Sequence, residues 1–447
     1  MNFRSDSGYA LPSVLLISLL ITSIILSLLA ILYFSAKGTN RILEKKKLKL
    51  ACFSAVQMVL ADSSFLTTDS LLIESNSIEV SLQIRNYGFY KEITTKANGL
   101  NDSINLRYTI GLAPSREDLF NYAIVFTRPN LRATVAGDTK IKGNILSTTD
   151  RITIGNIFGL HQASENYLEG AIKVDKKLKA QIIPDSLFDN IKNLGLSGSQ
   201  FFHNQADYLL DEFSFETILP EVNNYMEMNL IVNGKIKTSD QRSRNIRAPG
   251  IIEFSKGTVS KERLELFSDS LIVINPNCLV ENALLYCDGP IIVKGKSHFK
   301  NVQLFSRDSI FINKSQFDYP STVCLNIDDS QNEKKDNALV IEGSVINGNV
   351  ILMTKSSGFI SNRTKIKIDK SSKVQGLVYC ENNLELMGEV IGTVITYNLW
   401  YYKEPSEYLN WLINTKVDRN NLDDWFLLPT VFENNGRLQI LREEWIY

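Results

Sequence analysis

The chain has 447 residues, a formal net charge of −1 and 44% hydrophobic residues. A charge this close to zero argues against a nucleic-acid-binding surface, which needs a basic face. The five cysteines form no CxxC pair, which argues against a zinc ribbon. Cys278 and Cys287 could pair across a hairpin, but the odd number of cysteines favours unpaired buried thiols.

The first predicted element is a membrane-spanning helix over residues 9–36. No charged residue occurs at positions 7–36, and residues 11–34 are mainly Leu, Ile, Val and Ser. At about 1.5 Å per residue, this apolar stretch covers the roughly 30 Å hydrocarbon core of a bilayer. Tyr9 and Tyr33 lie at its two ends, where amphipathic rings favour the membrane interface. A cleaved secretory signal is the alternative, but its apolar region is usually only about 7–15 residues long.

A basic segment and an amphipathic stem follow the predicted membrane helix. Lysine and arginine are frequent at positions 37–49, whereas only Arg4 precedes the helix. The positive-inside rule therefore predicts that the C-terminal body faces the cytoplasm. Residues 41–61 carry a broad apolar face, which predicts a stem helix over residues 37–62. An ordinary juxtamembrane helix, with its lysines at anionic lipid headgroups, is the alternative.

Residues 7–16 (SGYALPSVLL) resemble the N-terminus of minor pilins of type IV pili and of K-type pseudopilins of type II secretion systems. In these families a short polar leader ends in Gly and is removed before an apolar helix. The resemblance implies a leader over residues 1–8, cleavage between Gly8 and Tyr9, and a body on the outer side of the membrane. Most pilins have Glu at the fifth mature position, whereas this chain has Ser13.

A small β region is predicted over residues 77–136, after a polar linker at residues 62–76. Apolar and polar side chains alternate over residues 78–85, and residues 87–95 and 104–110 also have strand composition. A small antiparallel sheet is therefore expected here.

A parallel β-solenoid, or β-helix, is predicted over residues 137–399. Apolar triplets begin at Leu271, Ile291 and Ile310, at intervals of 20 and 19 residues, and each is followed by a second apolar stretch. This period is typical of stacked units, because one unit cannot bury its inward face alone. A β-sandwich with irregular strands is the alternative.

Glycines and polar insertions complete this interpretation of residues 137–399. Insertions are predicted near residues 185–228, with a short helix, and near residues 328–337. The following glycines are predicted to occupy corners with positive φ: Gly143, Gly295, Gly343, Gly348, Gly376, Gly388 and Gly392.

The last segment, residues 400–447, holds all the tryptophans of the chain. A helix is predicted over residues 406–414, and Asn435 with Gly436 predicts a hairpin turn. Because the open end of a solenoid exposes strand edges, we expect this aromatic-rich segment to form a C-terminal cap. The functional alternative is an aromatic patch that docks a partner or a sugar, formed by Trp400, Trp411, Trp425 and Trp445.

Residues with catalytic or metal-binding chemistry are sparse. His161, His203 and His298 are isolated, so no metal site is predicted, and the repeat places His298 at a wall or core position. Asp328 and Asp329 could bind calcium, but adjacent acids in a polar loop are more often simply solvated. No nucleophile-elbow, Walker or dinucleotide-binding pattern occurs. We expect no catalytic residue, no cofactor and no enzyme activity.

These patterns predict a mainly β, single-pass protein of the cell membrane. The favoured function is a pilin-like or pseudopilin-like component whose body projects outward for assembly or binding. Its expected partners are membrane lipid and, through the N-terminal helix, other pilin-like or assembly-machinery subunits, with no nucleic acid. One alternative is a membrane-tethered cytoplasmic scaffold that forms polymers, which the lysines after the helix favour. An extracellular carbohydrate-active β-helix is the third, although the readable faces lack the clustered carboxylates that it needs.

Overall fold

The computed structural model describes residues 10–75, 78–99, 102–115, 118–157, 160, 163–178, 208–210, 224–225, 229–236, 244–261, 263–328, 336–355, 364–432 and 436–446. The chain divides into two compact units. The first unit contains the chain up to Arg85 together with Ile93–Tyr108 and Glu443–Trp445. The second unit contains Asn86–Glu92 and Thr109–Arg442. The helix predicted within residues 185–228 lies outside the described residues.

One helix, α1 (Ala10–Ala61), covers both the predicted membrane segment and the predicted stem. Its 52 residues form a helix about 78 Å long at 1.5 Å per residue. Part of it is long and apolar enough to cross a membrane. The segment after it is not the expected polar linker, because the 3₁₀ helix Ser63–Thr67 and the strand Ser70–Ser75 occupy it. A second 3₁₀ helix spans Leu119–Asn121.

The strands are numbered in chain order. The first half comprises β1 (Ser70–Ser75), β2 (Ile78–Tyr87), β3 (Tyr90–Asn98), β4 (Ser103–Ala113), β5 (Ile124–Phe126), β6 (Ala133–Ala136), β7 (Lys140–Lys142), β8 (Ile145–Ser147), β9 (Ile152–Ile154), β10 (Leu168–Glu169), β11 (Ile172–Val174), β12 (Tyr208–Leu210), β13 (Asn224–Tyr225), β14 (Leu230–Val232), β15 (Lys235–Ile236), β16 (Arg244–Ala248), β17 (Ile251–Phe254) and β18 (Val259–Ser260). The second half comprises β19 (Leu264–Ser268), β20 (Leu271–Ile274), β21 (Leu279–Glu281), β22 (Ala283–Cys287), β23 (Ile291–Lys294), β24 (His298–Lys300), β25 (Gln303–Ser306), β26 (Ile310–Asn313), β27 (Gln316–Asp328), β28 (Ala338–Glu342), β29 (Val345–Lys355), β30 (Lys365–Ile368), β31 (Lys373–Leu386), β32 (Glu389–Lys403), β33 (Ser406–Leu409), β34 (Trp411–Ile413), β35 (Lys416–Asp418) and β36 (Arg437–Ile446).

A five-stranded sheet follows the helix in the order β1–β2–β3–β4–β36. Strands β1 and β2 pair antiparallel, from Ser70 opposite Gln83 to Ser75 opposite Ile78. Val80, Leu82 and Ile84 alternate with more exposed residues along β2 and are buried, as the period-two pattern predicts. The sheet is larger than the sequence indicated, because β1 and β36 were not expected in it.

Parallel strands of the second unit lie in three stacks. The first contains β14, β17, β20, β23, β26, β28 and β30. The second contains β15, β18, β21, β24, β27, β29, β31, β32, β35, β7 and β10. The third contains β16, β19, β22, β25, β27, β29, β31, β32, β5, β8 and β11.

The core follows the register of these stacks. In the first stack Ile272 lies beside Ile291, and Ile291 lies beside Ile310. All three side chains are fully buried, so each strand covers the apolar side of the next. The predicted alignment of Leu271 with Ile291 is wrong by one residue, because Ile272 and Ile274 are the inward positions of β20 and Leu271 is half-exposed.

The stacks do not follow the order of the chain. β7 pairs with Lys416–Asp418, and β5 pairs with Val394–Thr396 of β32. Parallel pairing therefore extends from Ile124 to Asp418, beyond the predicted range 137–399. A separate three-stranded sheet has the order β34–β6–β9. Because β35 lies between β32 and β7, part of the segment 400–447 is inside the sheet, while a capping role for it stays a prediction.

Two predictions for the C-terminal segment are wrong. Residues 406–414 are not helical, because β33 pairs antiparallel with β32 and places Leu409 opposite Trp400. The hairpin predicted around Asn435 and Gly436 needs a strand at residues 429–432, which is not formed, and Arg437–Ile446 instead joins the five-stranded sheet. Asn435 lies outside the described residues. Pairing with the adjacent strand β32 in the first place, and with the distant five-stranded sheet in the second, overrides the local pattern.

A ladder of small hydroxyl groups satisfies the backbone at one corner of the stacks. The N–H of Cys278 donates to Ser297 Oγ, and that of Ser297 donates to Ser315 Oγ. The N–H of Ser315 donates to Ser344 Oγ, and that of Ser344 donates to Ser372 Oγ. Each buried N–H therefore finds a partner at the turn, where the chain has left the strand ladder.

Three glycines at equivalent positions, here called the glycine ladder, lie at the bend between the second and third stacks. Gly348 pairs with Gly376, and Gly376 pairs with Gly392. A Cβ atom on Gly376 would lie 2.1 Å from the carbonyl oxygen of Gly348, and its φ is +141°. Of the glycines predicted to have positive φ, Gly388 does not.

Candidate functional site

The first half of α1 presents apolar side chains to its surroundings in every direction. Leu11 is 77% exposed and Phe34 is 68% exposed, so no part of the described chain covers them. Several polar side chains are satisfied within the helix: Ser18 donates to the Leu15 carbonyl at 3.0 Å, and Thr22 donates to that of Ser18 at 2.7 Å. A lipid environment requires this internal pairing, because it offers no water to polar groups.

The second half of α1 buries one narrow face within the first unit. The buried residues recur at helical spacing, as Leu48, Ala51, Cys52, Ala55, Val56 and Val59. Burial raises the pKa of the Cys52 thiol, which a hydrogen bond with Thr95 partly opposes. The apolar face predicted from the sequence was broader. Ile42, Leu43, Leu50 and Phe53 are exposed instead.

Two of the basic residues after the apolar first half of α1 are held by acidic partners of the same unit. Arg41 donates from Nε and Nη2 to both carboxylate oxygens of Asp102, at 2.8 and 2.9 Å. The hydrogen bond from Arg41 lowers the pKa of Asp102. Lys49 lies 2.6 Å from Glu443 and 5.4 Å from the centroid of the Trp445 ring. These two cations are therefore partly neutralised by the protein itself.

The tryptophans occupy different aromatic neighbourhoods. Trp400 stacks on Tyr402 with ring centroids 6.2 Å apart, and Trp411 meets Tyr408 edge-on at 5.6 Å. Both lie beside the hairpin of β32 and β33.

Trp425 contacts Tyr319, with ring centroids 5.1 Å apart, and is 59% exposed. Trp445 belongs to the first unit, where Lys49 faces its ring. The structure brings Trp400 and Trp411 to the same hairpin and gives the other two separate partners. A role for any of them in docking stays a prediction.

The titratable residues form no recognisable catalytic or metal centre within the described ranges. His298 is not a core residue, because its side chain is 45% exposed and Nε2 lies 2.7 Å from Asp318 Oδ2. It pairs in register with Leu279 and Gln316, whereas the repeat in the sequence aligned it with Cys278 and Phe317. Among the described residues no group of three or more His, Cys, Asp or Glu could hold a metal ion. His161, His203, Asp329, Gly8 and Tyr9 lie outside the described residues.

All the cysteines are buried free thiols. Cys278 belongs to the corner with the hydroxyl ladder, where its Sγ lies 3.0 Å from the Asn275 carbonyl oxygen. Cys287 lies in another stack, in register with Ser268 and Ser306. The two thiols therefore do not face each other across a hairpin, and the unpaired alternative is the one observed. Burial raises the pKa of Cys287 to about 12.

A buried ion pair in the second unit was missed by sequence reasoning. Arg263 binds Glu92 and lies 3.5 Å from Glu265, and its guanidinium carbon is 3.7 Å from the centroid of the Tyr87 ring. Burial alone would lower the Arg263 pKa, but the neighbouring charges more than offset this and raise it. The partners are far apart in the chain, so no local pattern signals the pair.

Comparison with known proteins identifies no family. No protein-family model matches the sequence, and no curated protein matches it significantly. An ice-binding protein from an Antarctic bacterium of the Flavobacteriaceae is 10% identical, with a TM-score of 0.14, over 68% of this chain and 98% of that one. The competence-associated pilin ComZ from Thermus thermophilus is 8% identical, with a TM-score of 0.16, over 85% of this chain and 88% of that one. At these values neither likeness carries an argument about function.

Proposed function

We propose that this chain is a pilin-like, single-pass membrane protein without enzymatic activity, whose body is displayed on the outer side for assembly or binding. The observation that carries the proposal is the difference in burial between the two halves of α1 (Ala10–Ala61). Its first half is apolar and uncovered, whereas its second half buries a face in the unit that contains β1. One rigid element thus links a lipid-embedded segment to a folded unit, as expected of a pilin stem.

The parallel stacks support the second part of the proposal, a β-solenoid body. In the first stack Ile272, Ile291 and Ile310 recur at equal intervals along the chain, and the corner N–H groups bond from one level to the next. Such a body gains length without needing a larger core, because each level contacts only its neighbours. It is therefore suited to act as a spacer or as an extended binding surface.

The uncovered part of α1 is the proposed assembly surface. Membrane lipid is its first partner, and the helices of other pilin-like or assembly-machinery subunits are its second. Small and hydroxyl residues such as Ser18, Thr22 and Ser27 allow close helix–helix approach in lipid.

The charge distribution after α1 is the observation that favours a second candidate, a membrane-tethered cytoplasmic scaffold. Lys37, Lys45, Lys46 and Lys47 are exposed, and exposed lysines at a membrane end are typical of the cytoplasmic side. We keep the outward body as the favoured proposal because residues 7–16 resemble the N-terminus of pilins, whose bodies face outward.

N-terminal sequencing and protease access test the proposal together. Mature protein extracted from membranes should begin at Tyr9, and a Gly8→Val variant should keep its full leader while Ser5→Val should be processed normally. Protease added to spheroplasts should digest the body without opening the membrane. A body that is protected until the membrane is opened would instead support the cytoplasmic scaffold, and an uncut leader would remove the pilin-like part.

A further inference from the structure

A groove of about 870 Å³ lies on the outward face of the first stack. Its floor follows one outward-facing register position, where Ile292 lies beside Phe311 and Phe311 lies beside Val340. The next residue in this column is Lys367. Phe311 is 43% exposed and lies between the half-buried residues Ile292 and Val340, so the groove floor is a contiguous apolar patch, the kind of surface that binds partners or ligands.

Lysines surround this apolar floor. Lys294, Lys296, Lys314, Lys365 and Lys367 line the groove, and Glu342 is the acid among its lining residues. Within the described part of the chain, Lys294, Lys296 and Lys314 form no side-chain ion pair. Lys367 lies 3.9 Å from Glu385, so among the described residues the unpaired positive charge of the rim comes from Lys294, Lys296 and Lys314.

Two of the lysines are held close together by the backbone. The N–H of Lys296 donates to the carbonyl oxygen of Lys314 at 2.7 Å, so the two turns are stacked directly. Their backbones are only about 4.8 Å apart, the usual distance between neighbouring strands. Two cations at adjacent levels repel each other, and an anion bound between them would remove this repulsion.

Aromatic rings extend the surface beyond the groove. Lys365 Nζ lies 3.9 Å from the centroid of the Trp400 ring, which is stacked on Tyr402. Tyr402 is 46% exposed. Positive charge and flat apolar surface therefore continue together from Phe311 to the hairpin of β32 and β33.

The way in which this surface can bind is limited by the strand pairing. β26 has a parallel neighbour on each side, β23 and β28, so its backbone offers no open edge to an added peptide strand. Recognition must come from side chains alone. Lysine acts as a point charge without the planar fork that selects phosphate or peptide carboxylate geometry, so it suits carboxylates at varied positions along a polymer.

We propose that this groove binds an acidic polysaccharide, a chain of uronate sugars laid along the first stack. Its carboxylates would meet Lys294, Lys296 and Lys314, and the apolar faces of its rings would pack on Ile292 and Phe311. Single-stranded nucleic acid is the less suitable polyanion, because its bases need successive aromatic rings and the floor is mostly aliphatic. Which polysaccharide the groove meets in the cell depends on the proposed outward placement of the body, whereas binding to the purified protein does not.

Titration of the full-length protein in detergent with sodium polygalacturonate tests the proposal. Binding should weaken as salt rises, because exposed charges are screened. The double variant Lys294→Gln/Lys314→Gln should bind about ten-fold more weakly, and Phe311→Ser several-fold more weakly. The matched control Lys140→Gln/Lys416→Gln removes two exposed lysines of the second stack and should leave binding unchanged. Each variant is compared with the parent protein by its melting temperature, so that a folding defect is recognised.

Three results would overturn the proposal. The first is no binding of polygalacturonate by the parent protein at low salt. The second is tighter binding of polyglutamate or of single-stranded oligothymidylate, which would assign the groove to a peptide or a nucleic acid. The third is an equal loss of binding in the groove double variant and the control, which would reduce the effect to net charge. None of these results bears on leader cleavage or on protease access, so the proposed function is tested separately.

Discussion

The glycine ladder in the bend of the stacks offers a sharp test of the fold. Replacing Gly376 by Ala would place a Cβ atom 2.1 Å from the carbonyl oxygen of Gly348, and 2.6 Å from the ring of Phe426. The backbone oxygen belongs to the neighbouring level and cannot move without shifting that level. The substitution therefore disturbs two strands rather than one side chain.

The magnitude follows from two separate costs. A non-glycine residue at φ of +141° costs about 1–3 kcal/mol. Forcing an extra carbon into a packed site costs about 1–3 kcal/mol more. We expect Gly376→Ala to lower the free energy of unfolding by about 2–6 kcal/mol, a large part of the 5–15 kcal/mol that is usual for a folded domain.

Gly295 provides the matched control, because its φ is +65° and no atom lies within 4 Å of the Cβ position. Gly295→Ala should cost only about 1 kcal/mol, the backbone cost alone. Denaturant unfolding of the full-length variants in detergent, followed by circular dichroism, measures both. An equal loss in the two variants would refute the close approach between levels, as would a Gly376→Ala variant as stable as the parent protein.

Three further predictions follow from the helix, the buried ion pair and the thiols. Ile24→Arg places a charge in the membrane span at a cost of about 2.5–3.5 kcal/mol. Carbonate washing of membranes should therefore release more of this variant than of Ile42→Arg, whose charge lies beyond the span. Equal release of the two variants would contradict the assigned span. Arg263→Ala leaves the Glu92 carboxylate buried without this partner and should lower the free energy of unfolding by about 3–5 kcal/mol. The double variant Arg263→Met/Glu92→Leu should lose less stability, because it leaves no buried carboxylate at position 92. Denaturant unfolding curves that show the reverse order would refute this. Burial raises the pKa of Cys287 to about 12, so above about pH 8.5 this thiol ionises in the unfolded chain but not in the folded one. The free energy of unfolding measured by denaturant titration should therefore fall by up to about 1.4 kcal/mol per pH unit. The slope should be shallower in Cys287→Ala, and an equal slope would contradict the assignment.

The sequence was most informative where side-chain chemistry repeats. The apolar character of residues 11–34 predicted a membrane-spanning helix, and the helix is long and apolar enough to cross. The period near 20 residues predicted parallel pairing, but the register was wrong by one residue. In the run Leu271–Ile274 every residue is apolar, so composition cannot tell the inward from the outward positions, which only pairing with Ile291 decides.

The candidate sites were harder to predict because they depend on that register. Ile292, Phe311 and Val340 share a face, yet they are separated by unequal intervals, since the insertion near residues 328–337 interrupts the last one. For the tryptophans, nearness in the sequence suggested one patch that the structure does not form. Trp400 contacts Tyr402 and Trp425 contacts Tyr319, because the strands between these two tryptophans pair with different parts of the sheet.

The pairing of β5 with β32 has a consequence for how the molecule is made. Ile124 leaves the ribosome long before Val394, its partner across the sheet, so the early strands keep an open hydrogen-bonding edge while most of the chain is still being synthesised. An open edge is a template for pairing with another molecule. Contacts of such long sequence separation also form slowly, because the intervening chain must be closed into a loop first. A nascent copy truncated before residue 389 would therefore carry that edge permanently, and such fragments are where we expect aggregation to begin.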